Sequence, residues 1–307
     1  MTRKNFDTII IGGSIAGLSA ALTLCRSIKK VAIFDTANPC NYNVAQSYNF
    51  ATNDGQNPAE IRRKTRLEIE KYNSAEFFLD EVTSVIPAST GFKVQTKSLG
   101  TFEATRILIA TGLNDILPDI PGLSECWGKS VFSCPYCHGY EARNRKTAVY
   151  AKGDAAHDLS ILLTNWSQDL VVVTNGKSEL TPQQYQDLKR RNIQIVESSI
   201  VSVTHNEGNL SRINFSDGTY LEVPYMYASI PFEQKSTIAQ NLNLKFTDSG
   251  HIEVDSVFHT SMPNVYAAGD CTAQQRALSV AAASGTTAGF TINQDFVDEF
   301  HNKLLKN

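Results

Sequence analysis

The residues that most constrain this chain are Asp7 to Phe34, which read in order as strand, glycine turn, helix, strand. Asp7-Thr8-Ile9-Ile10-Ile11 is a β-branched run, too short for a helix and stopped by Gly12-Gly13. Small residues dominate the helix expected from about Ile15 to Arg26, and Val31-Ala32-Ile33-Phe34 returns to strand. This order is the opening unit of a parallel sheet whose faces are covered by helices. Near Thr147 the pattern restarts, with Ala148-Val149-Tyr150 as strand, Gly153 as turn, Ala155 to Trp166 as helix and Leu170 to Val173 as strand. A chain of 307 residues has room for two domains. Two such units therefore predict an α/β protein with two nucleotide-binding-type domains.

Residues 39–57, where Asn recurs and Asp54-Gly55 follows, read as a long loop, and loops of that length in a compact domain are usually functional. A helix is expected from about Pro58 to Tyr72, and strands from Phe77 to Ile109. The C-terminal third offers an apolar strand (Asn264 to Ala268), a Gly-Asp turn and a helix from about Arg276 to Asn293. The apolar stretch Thr8 to Cys25 follows Arg3 and Lys4, but Asp7 and two glycines interrupt the design of a leader peptide. No other segment approaches the roughly 20 apolar residues of a membrane helix, so no membrane partner is expected. A formal net charge of −3 offers no field for a polyanion, and nucleic acid is not an expected partner either. Of six cysteines, Cys25, Cys40, Cys126 and Cys271 are scattered singly; this is no secreted disulfide framework, and a reducing cytoplasm is expected.

Gly12-Gly13-Ser14-Ile15-Ala16-Gly17 stands where a G-x-G-x-x-G fingerprint would, with Ser14 as its middle position. Gly12 supplies the tight turn, Gly17 lets helix and strand approach closely, and the helix N-terminus then faces a pyrophosphate. Asp35, at the end of the second strand, has the spacing of the acid that holds a ribose hydroxyl. A glycine turn that merely packs a helix is the competing reading, and the placement of Asp35 argues against it.

Cys134-Pro135-Tyr136-Cys137 sets two sulfurs three residues apart. With Pro135 as first helical residue, which its fixed φ favours, both thiols share one face of a helix N-terminus. The positive end of the helix dipole favours the thiolate, the reactive form. His138 and Glu141 follow at once, a proton donor or acceptor within reach. A structural zinc site would need two further ligands, usually a second paired motif, and the sequence has none. No metal is expected; redox chemistry is.

Three further segments carry a resemblance. Asn264-Val265-Tyr266-Ala267-Ala268-Gly269-Asp270 resembles the second FAD fingerprint of two-dinucleotide-binding flavoproteins, in which the aspartate binds the ribityl chain, and Ala110-Thr111-Gly112 resembles their linking motif. Pro118-Asp119-Ile120-Pro121-Gly122-Leu123 followed by the CPYCHGYE of Cys134 to Glu141 resembles thioredoxin reductases, within the pyridine nucleotide-disulfide oxidoreductase class. It is most similar to the CPYCHG branch, which includes gliotoxin- and holomycin-type dithiol oxidases. The resemblance implies two Rossmann-like three-layer domains. A discontinuous FAD domain would span residues 1–117 and 243–307, and an NAD(P)-binding-like domain carrying the cysteine pair would span 118–242. A homodimer is implied as well. It further implies that Cys137 faces the flavin and Cys134 attacks the substrate. Cofactor contacts are implied at Gly12, Ser14, Ile15, Ala16, Gly17, Asp35, Ala110, Thr111, Gly112, Gly269 and Asp270. Asn49 falls near the flavin-contacting loop, Val82 where backbone meets adenine, and Arg276-Ala277 where the final helix meets the flavin.

The chain departs from the family in three places. His138 stands where thioredoxin reductases place an aspartate as proton donor. Gln46, Ser47, Tyr48 and Ser133 stand where histidines are common in the CPYCHG branch, which weakens a histidine-assisted oxidase. Ala151-Lys152-Gly153-Asp154-Ala155-Ala156 lacks the first glycine of the second fingerprint. Thr174-Asn175-Gly176-Lys177 then supplies neither an arginine cluster for a 2′-phosphate nor an acid for a ribose diol. NADPH and NADH are both left open. The leading expectation is an FAD-dependent reductase passing electrons through Cys134 and Cys137 to thioredoxin or a small-molecule disulfide, with His138 protonating the leaving thiolate. The alternatives are a dithiol oxidase with oxygen as acceptor and a flavin-bound redox sensor without turnover.

Overall fold

The computed structural model describes residues 5–306; Arg3 and Lys4, considered above as the start of a leader, lie outside them. The chain opens with β1 (Asn5–Ile11), α1 (Ile15–Arg26), β2 (Val31–Asp35), α2 (Pro58–Ile69), β3 (Ala75–Leu79), β4 (Val82–Ala88), β5 (Gly91–Thr96) and β6 (Thr101–Ile109). The middle holds β7 (Leu113–Asp115), α3 (Leu123–Cys126), β8 (Val131–Phe132), α4 (Pro135–Ala142), β9 (Thr147–Tyr150), α5 (Gly153–Leu163), β10 (Leu170–Val173), α6 (Pro182–Arg190) and β11 (Gln194–Val196). There follow β12 (Ile200–Asn206), β13 (Asn209–Phe215), β14 (Tyr220–Glu222), β15 (Tyr225–Ala228), β16 (Phe232–Gln234), α7 (Ile238–Asn241), β17 (Val265–Ala267) and α8 (Leu278–Leu304). Contacts gather these into two compact units. One takes the described residues up to Tyr42, Asn49–Asn114 and Glu233 onward, and the other takes Asn43–Tyr48 and Asp115–Phe232.

In the first unit β3, β2, β1 and β6 run parallel in that order. β6 pairs with β5 antiparallel over its first half and with β17 in parallel from Ile107 to Ile109. Side chains alternate across a strand, so β1 feeds two cores. Ile9 and Ile11 pack with Phe34, Val94 and Ile107, while Ile10 packs with Leu18, Leu24 and Leu108 under α1 and α8. Each such fully buried side chain contributes about 1.5–3 kcal/mol. α8 was expected to end near Asn293 and instead reaches Leu304. Residues 294–304 contain neither Gly nor Pro, and a Lys303–Glu299 pair at 2.9 Å spans the last turns.

In the second unit β11, β10, β9, β15 and β8 form a parallel sheet. One face packs Val149, Val172, Phe132 and Tyr227 against Ala142 of α4 and Ala156 and Leu163 of α5. The other packs Ala148, Val171 and Met226 against Val203, Ile213 and Leu221 of the antiparallel sheet β12-β13-β14. Both units are thus the layered α/β arrangement expected from the two repeats. Among the described residues no helix is long and apolar enough to cross a membrane.

Candidate active site

The first unit builds its cradle from close approach. Gly12 takes a φ of +113°, and a Cβ there would lie 2.1 Å from Ala110 O; one on Gly17 would lie 1.9 Å from Gly12 O. Only glycine fits at either place, and β1, α1 and the end of β6 close to backbone contact. Ser14 is the N-cap of α1 and makes no side-chain cap bond. The first-turn N–H groups of Ile15, Ala16 and Gly17 therefore have no intrahelical acceptor and stand at the positive end of the helix. Asp35 closes β2, half-buried against Gly13, whose Cβ would come within 2.8 Å of Asp35 Cβ. Ala110 N–H donates to Ile11 O (2.8 Å) and Ala268 N–H to Ile109 O (2.9 Å), so Thr111-Gly112 and Gly269-Asp270 leave the sheet beside Gly12.

Gly269 N–H donates to Ser284 Oγ of α8 at 3.0 Å, and Ala277 caps that helix. Asp270 Oδ2 lies 3.7 Å from Arg276 Nε and accepts from Cys40 Sγ at 3.8 Å. Val82 follows three residues after Leu79, which is level with Asp35 across β2 and β3. Asn49 sits in the loop with φ +61° and donates its N–H to Asp54 Oδ1 at 2.8 Å. A cradle of bare backbone at a helix N-terminus, an acid at the neighbouring strand end and a second aspartate at the next fit an extended dinucleotide such as FAD. Cys271, next to Asp270 in sequence, is wholly buried, its Sγ donating to Ala268 O at 3.2 Å, and burial pushes its pKa up to about 12. The cysteine that touches Asp270 is Cys40, which sequence reasoning passed over because nothing local marks it.

In the second unit β8 delivers Cys134 as the N-cap of α4, with Pro135 at its first position. Cys137 N–H donates to Cys134 O at 3.3 Å, and both cysteines are half-buried. α4 has no acidic residue in its first turn, so its positive end acts on the sulfurs unopposed. Gly139 makes room for Trp166, whose ring would lie 2.7 Å from a Cβ there. His138 stacks on Phe132 (4.1 Å between centroids, 19°) and meets the Tyr48 ring edge-on at 5.9 Å. Burial holds its pKa down to about 4. The imidazole is then neutral near pH 7 and receives a proton before it can give one.

The turn after β9 is finished differently. Gly153 N–H donates to Ser178 O (2.8 Å), Asp154 in the first turn of α5 accepts from Gln184 Nε2 (2.7 Å), and Lys152 Nζ lies 3.4 Å from Glu179. Thr174 Oγ1 donates to Gly176 O (2.5 Å), and Asn175 Oδ1 accepts from Ile200 N–H (2.7 Å). Gly153 N–H, Asp154, Lys152, Thr174 and Asn175 are thus bonded within the chain, while α5, like α1, has no side-chain cap. Among the described residues no group of His, Cys, Asp or Glu is placed to hold a metal ion.

The chain matches the pyridine nucleotide-disulphide oxidoreductase family over residues 6–286. It is similar to thioredoxin reductase aclD of Aspergillus oryzae, 29% identical over 303 residues that cover 94% of this chain and 95% of that protein. Among solved structures it is similar to HlmI (TM-score 0.92, 29% identical, covering 98% of this chain and 96% of that one). It is also similar to TrxB of Bacillus anthracis (TM-score 0.91, 33% identical, covering 96% and 99%). The chain therefore belongs to the pyridine nucleotide-disulphide oxidoreductase family. Within it the chain is a thioredoxin reductase-like flavoprotein, an FAD-dependent disulfide oxidoreductase.

Proposed function

We propose that Cys134 and Cys137 are the redox pair of this enzyme, exchanging two electrons with bound FAD and reducing a disulfide in a thioredoxin-like protein or a small molecule. The supporting observation is the placement of both cysteines on the N-terminal turn of α4, beside a half-buried neutral His138. FAD, when bound, stores the two electrons. The first turn of α1 from Gly12 through Gly17 would hold its pyrophosphate, Asp35 a ribose and Asp270 the ribityl chain. Cys134 as thiolate attacks the substrate disulfide; that S–S bond breaks, one substrate sulfur joins Cys134 and the other leaves as a thiolate. Cys137 then displaces the bound sulfur while the His138 imidazole takes the proton that Cys137 Sγ gives up, and from there the proton passes to the leaving thiolate. The scattered single cysteines support a reducing, cytoplasmic setting. Cys137→Ser is expected to abolish turnover with FAD retained; full turnover in that variant contradicts the assignment.

A second reading, oxidation of a dithiol with oxygen as final acceptor, is favoured by one observation, the turn after β9, where Gly153 N–H is taken by Ser178 O and Asp154 occupies the first turn of α5. Anaerobic absorbance in the flavin band on adding NADPH, NADH and then a dithiol separates the two. Bleaching by either nucleotide supports the reductase. Bleaching by the dithiol alone, with peroxide formed on admitting air, supports the oxidase.

A further inference from the structure

Two buried polar atoms beneath α4 are not used by the exchange just described. Tyr227 of β15 is level with Phe132 of β8, two residues before Cys134. Its ring packs against Phe132 at 5.9 Å and shares a core cluster with Ala142, the last residue of α4. The side chain is 0% exposed and its hydroxyl has no hydrogen-bond partner. Glu141 Oε2 is likewise buried and without a partner. Cys134, Cys137 and Glu141 follow one another at intervals of three and four residues, a single stripe along α4. After burial, the groups that hold Tyr227 protonated are Cys134, Glu141 and Cys137, with Tyr225 on its own strand the weakest. Of the other titratable groups of α4, His138 is stacked on Phe132, and Tyr136 and Tyr140 are exposed. A donor with no hydrogen-bond partner thus lies within electrostatic range of three groups able to accept. Phenylalanine would fill the same space with no hydroxyl to desolvate, and buried tyrosines ordinarily satisfy theirs.

Resting on the redox role of Cys134 and Cys137, we propose that Tyr227 is the internal hydrogen-bond donor of that couple. Its hydroxyl donates to the Glu141 carboxylate while the pair is a disulfide and turns to the thiolate formed on reduction. Two electrons from reduced flavin or from a dithiol, and one proton from water, break the S–S bond into one thiol and one thiolate. The phenol keeps its own proton throughout. Its contribution is to favour the thiolate over the disulfide, so it sets the poise of the couple.

The test is the disulfide–dithiol equilibrium of FAD-loaded protein in dithiothreitol redox buffers, read by thiol alkylation and mass. Tyr227→Phe is expected to move the equilibrium about threefold toward the disulfide, the margin by which the bond to the thiolate exceeds the one given up to the Glu141 carboxylate. The pH profile of alkylation should move upward with it. Glu141→Gln is expected to move the equilibrium toward the dithiol, and by less in a Tyr227→Phe background. An unchanged equilibrium and alkylation profile in Tyr227→Phe overturns the proposal, as does a Glu141→Gln shift that is absent or of the same sign. If the unsubstituted pair forms no reversible disulfide in any buffer, the redox reading itself fails and takes the proposal with it. That outcome is recognisable before any substitution is made.

Discussion

The turn after β1 and the turn after β9 share one plan and are finished in opposite ways. At the first, glycines at 12 and 17 bring strand and helix to backbone contact, and α1 has no acid in its first turn. At the second, Ala151 stands in place of the first glycine, Gly153 N–H is taken by Ser178 O, and Asp154 occupies the first turn of α5. A strand–turn–helix unit is a fold; it becomes a nucleotide site only when glycines let backbone approach the ligand and no carboxylate crowds the helix's positive end. The difference is what the proposed FAD site after β1 rests on, and it sets the turn after β9 apart from it.

The largest expected effect tests that contrast directly. Gly17→Val places its Cβ on Gly12 O, so it is expected to cost roughly 3 kcal/mol or more and to yield colourless protein. Gly153→Ala meets nothing closer than Glu179 O at 3.6 Å. It is expected to cost about 1–2 kcal/mol for its positive φ and to stay yellow. Thermal melts and flavin-to-protein absorbance ratios measure both, and equal outcomes would break the comparison.

The histidines of the two units extend it to pH. His138, with its pKa near 4 against 6.5 in the unfolded chain, contributes stability that is fully present above pH 6.5. The unfolded chain protonates first, so this stability is lost as pH falls through 4. On the order of 3 kcal/mol is at stake, and urea titrations of His138→Phe should lose that slope. His259 in the first unit is opposed by burial yet held above its ordinary value by bonds to Asp295 and Asp255. Its contribution is present at low pH and fades as pH rises through that raised value, the opposite sign.

Smaller effects sharpen the account. Asp35→Ala is expected to weaken FAD binding by roughly ten- to a hundredfold, read by flavin release on dilution, while Asp154→Ala leaves it unchanged. Lys152→Ala breaks only an exposed pair and should alter stability by less than about 1 kcal/mol.

Much of this was legible in the chain. The β-branched run into Gly12, the small-residue α1 and the return at Val31 give one unit, and Pro135 between two cysteines places a helix start at Cys134. These are local signals, set by sterics within a few residues. The antiparallel β12–β14 sheet was not anticipated, because its alternation is broken by register shifts near Ile200 and Thr204. The neutrality of His138 depends on Phe132 and Tyr48, and the orphaned hydroxyl of Tyr227 on the pairing of β8 with β15. Such properties come from tertiary burial, which no spacing in the sequence encodes.

The most direct test of the central claim is an anaerobic titration of the yellow protein with dithiothreitol, comparing the unsubstituted chain with Cys137→Ser. The account predicts that the flavin of the unsubstituted chain bleaches while Cys137→Ser keeps its FAD and stays oxidised. Equal bleaching of the two would contradict it, because electrons would then be reaching the flavin without the cysteine pair.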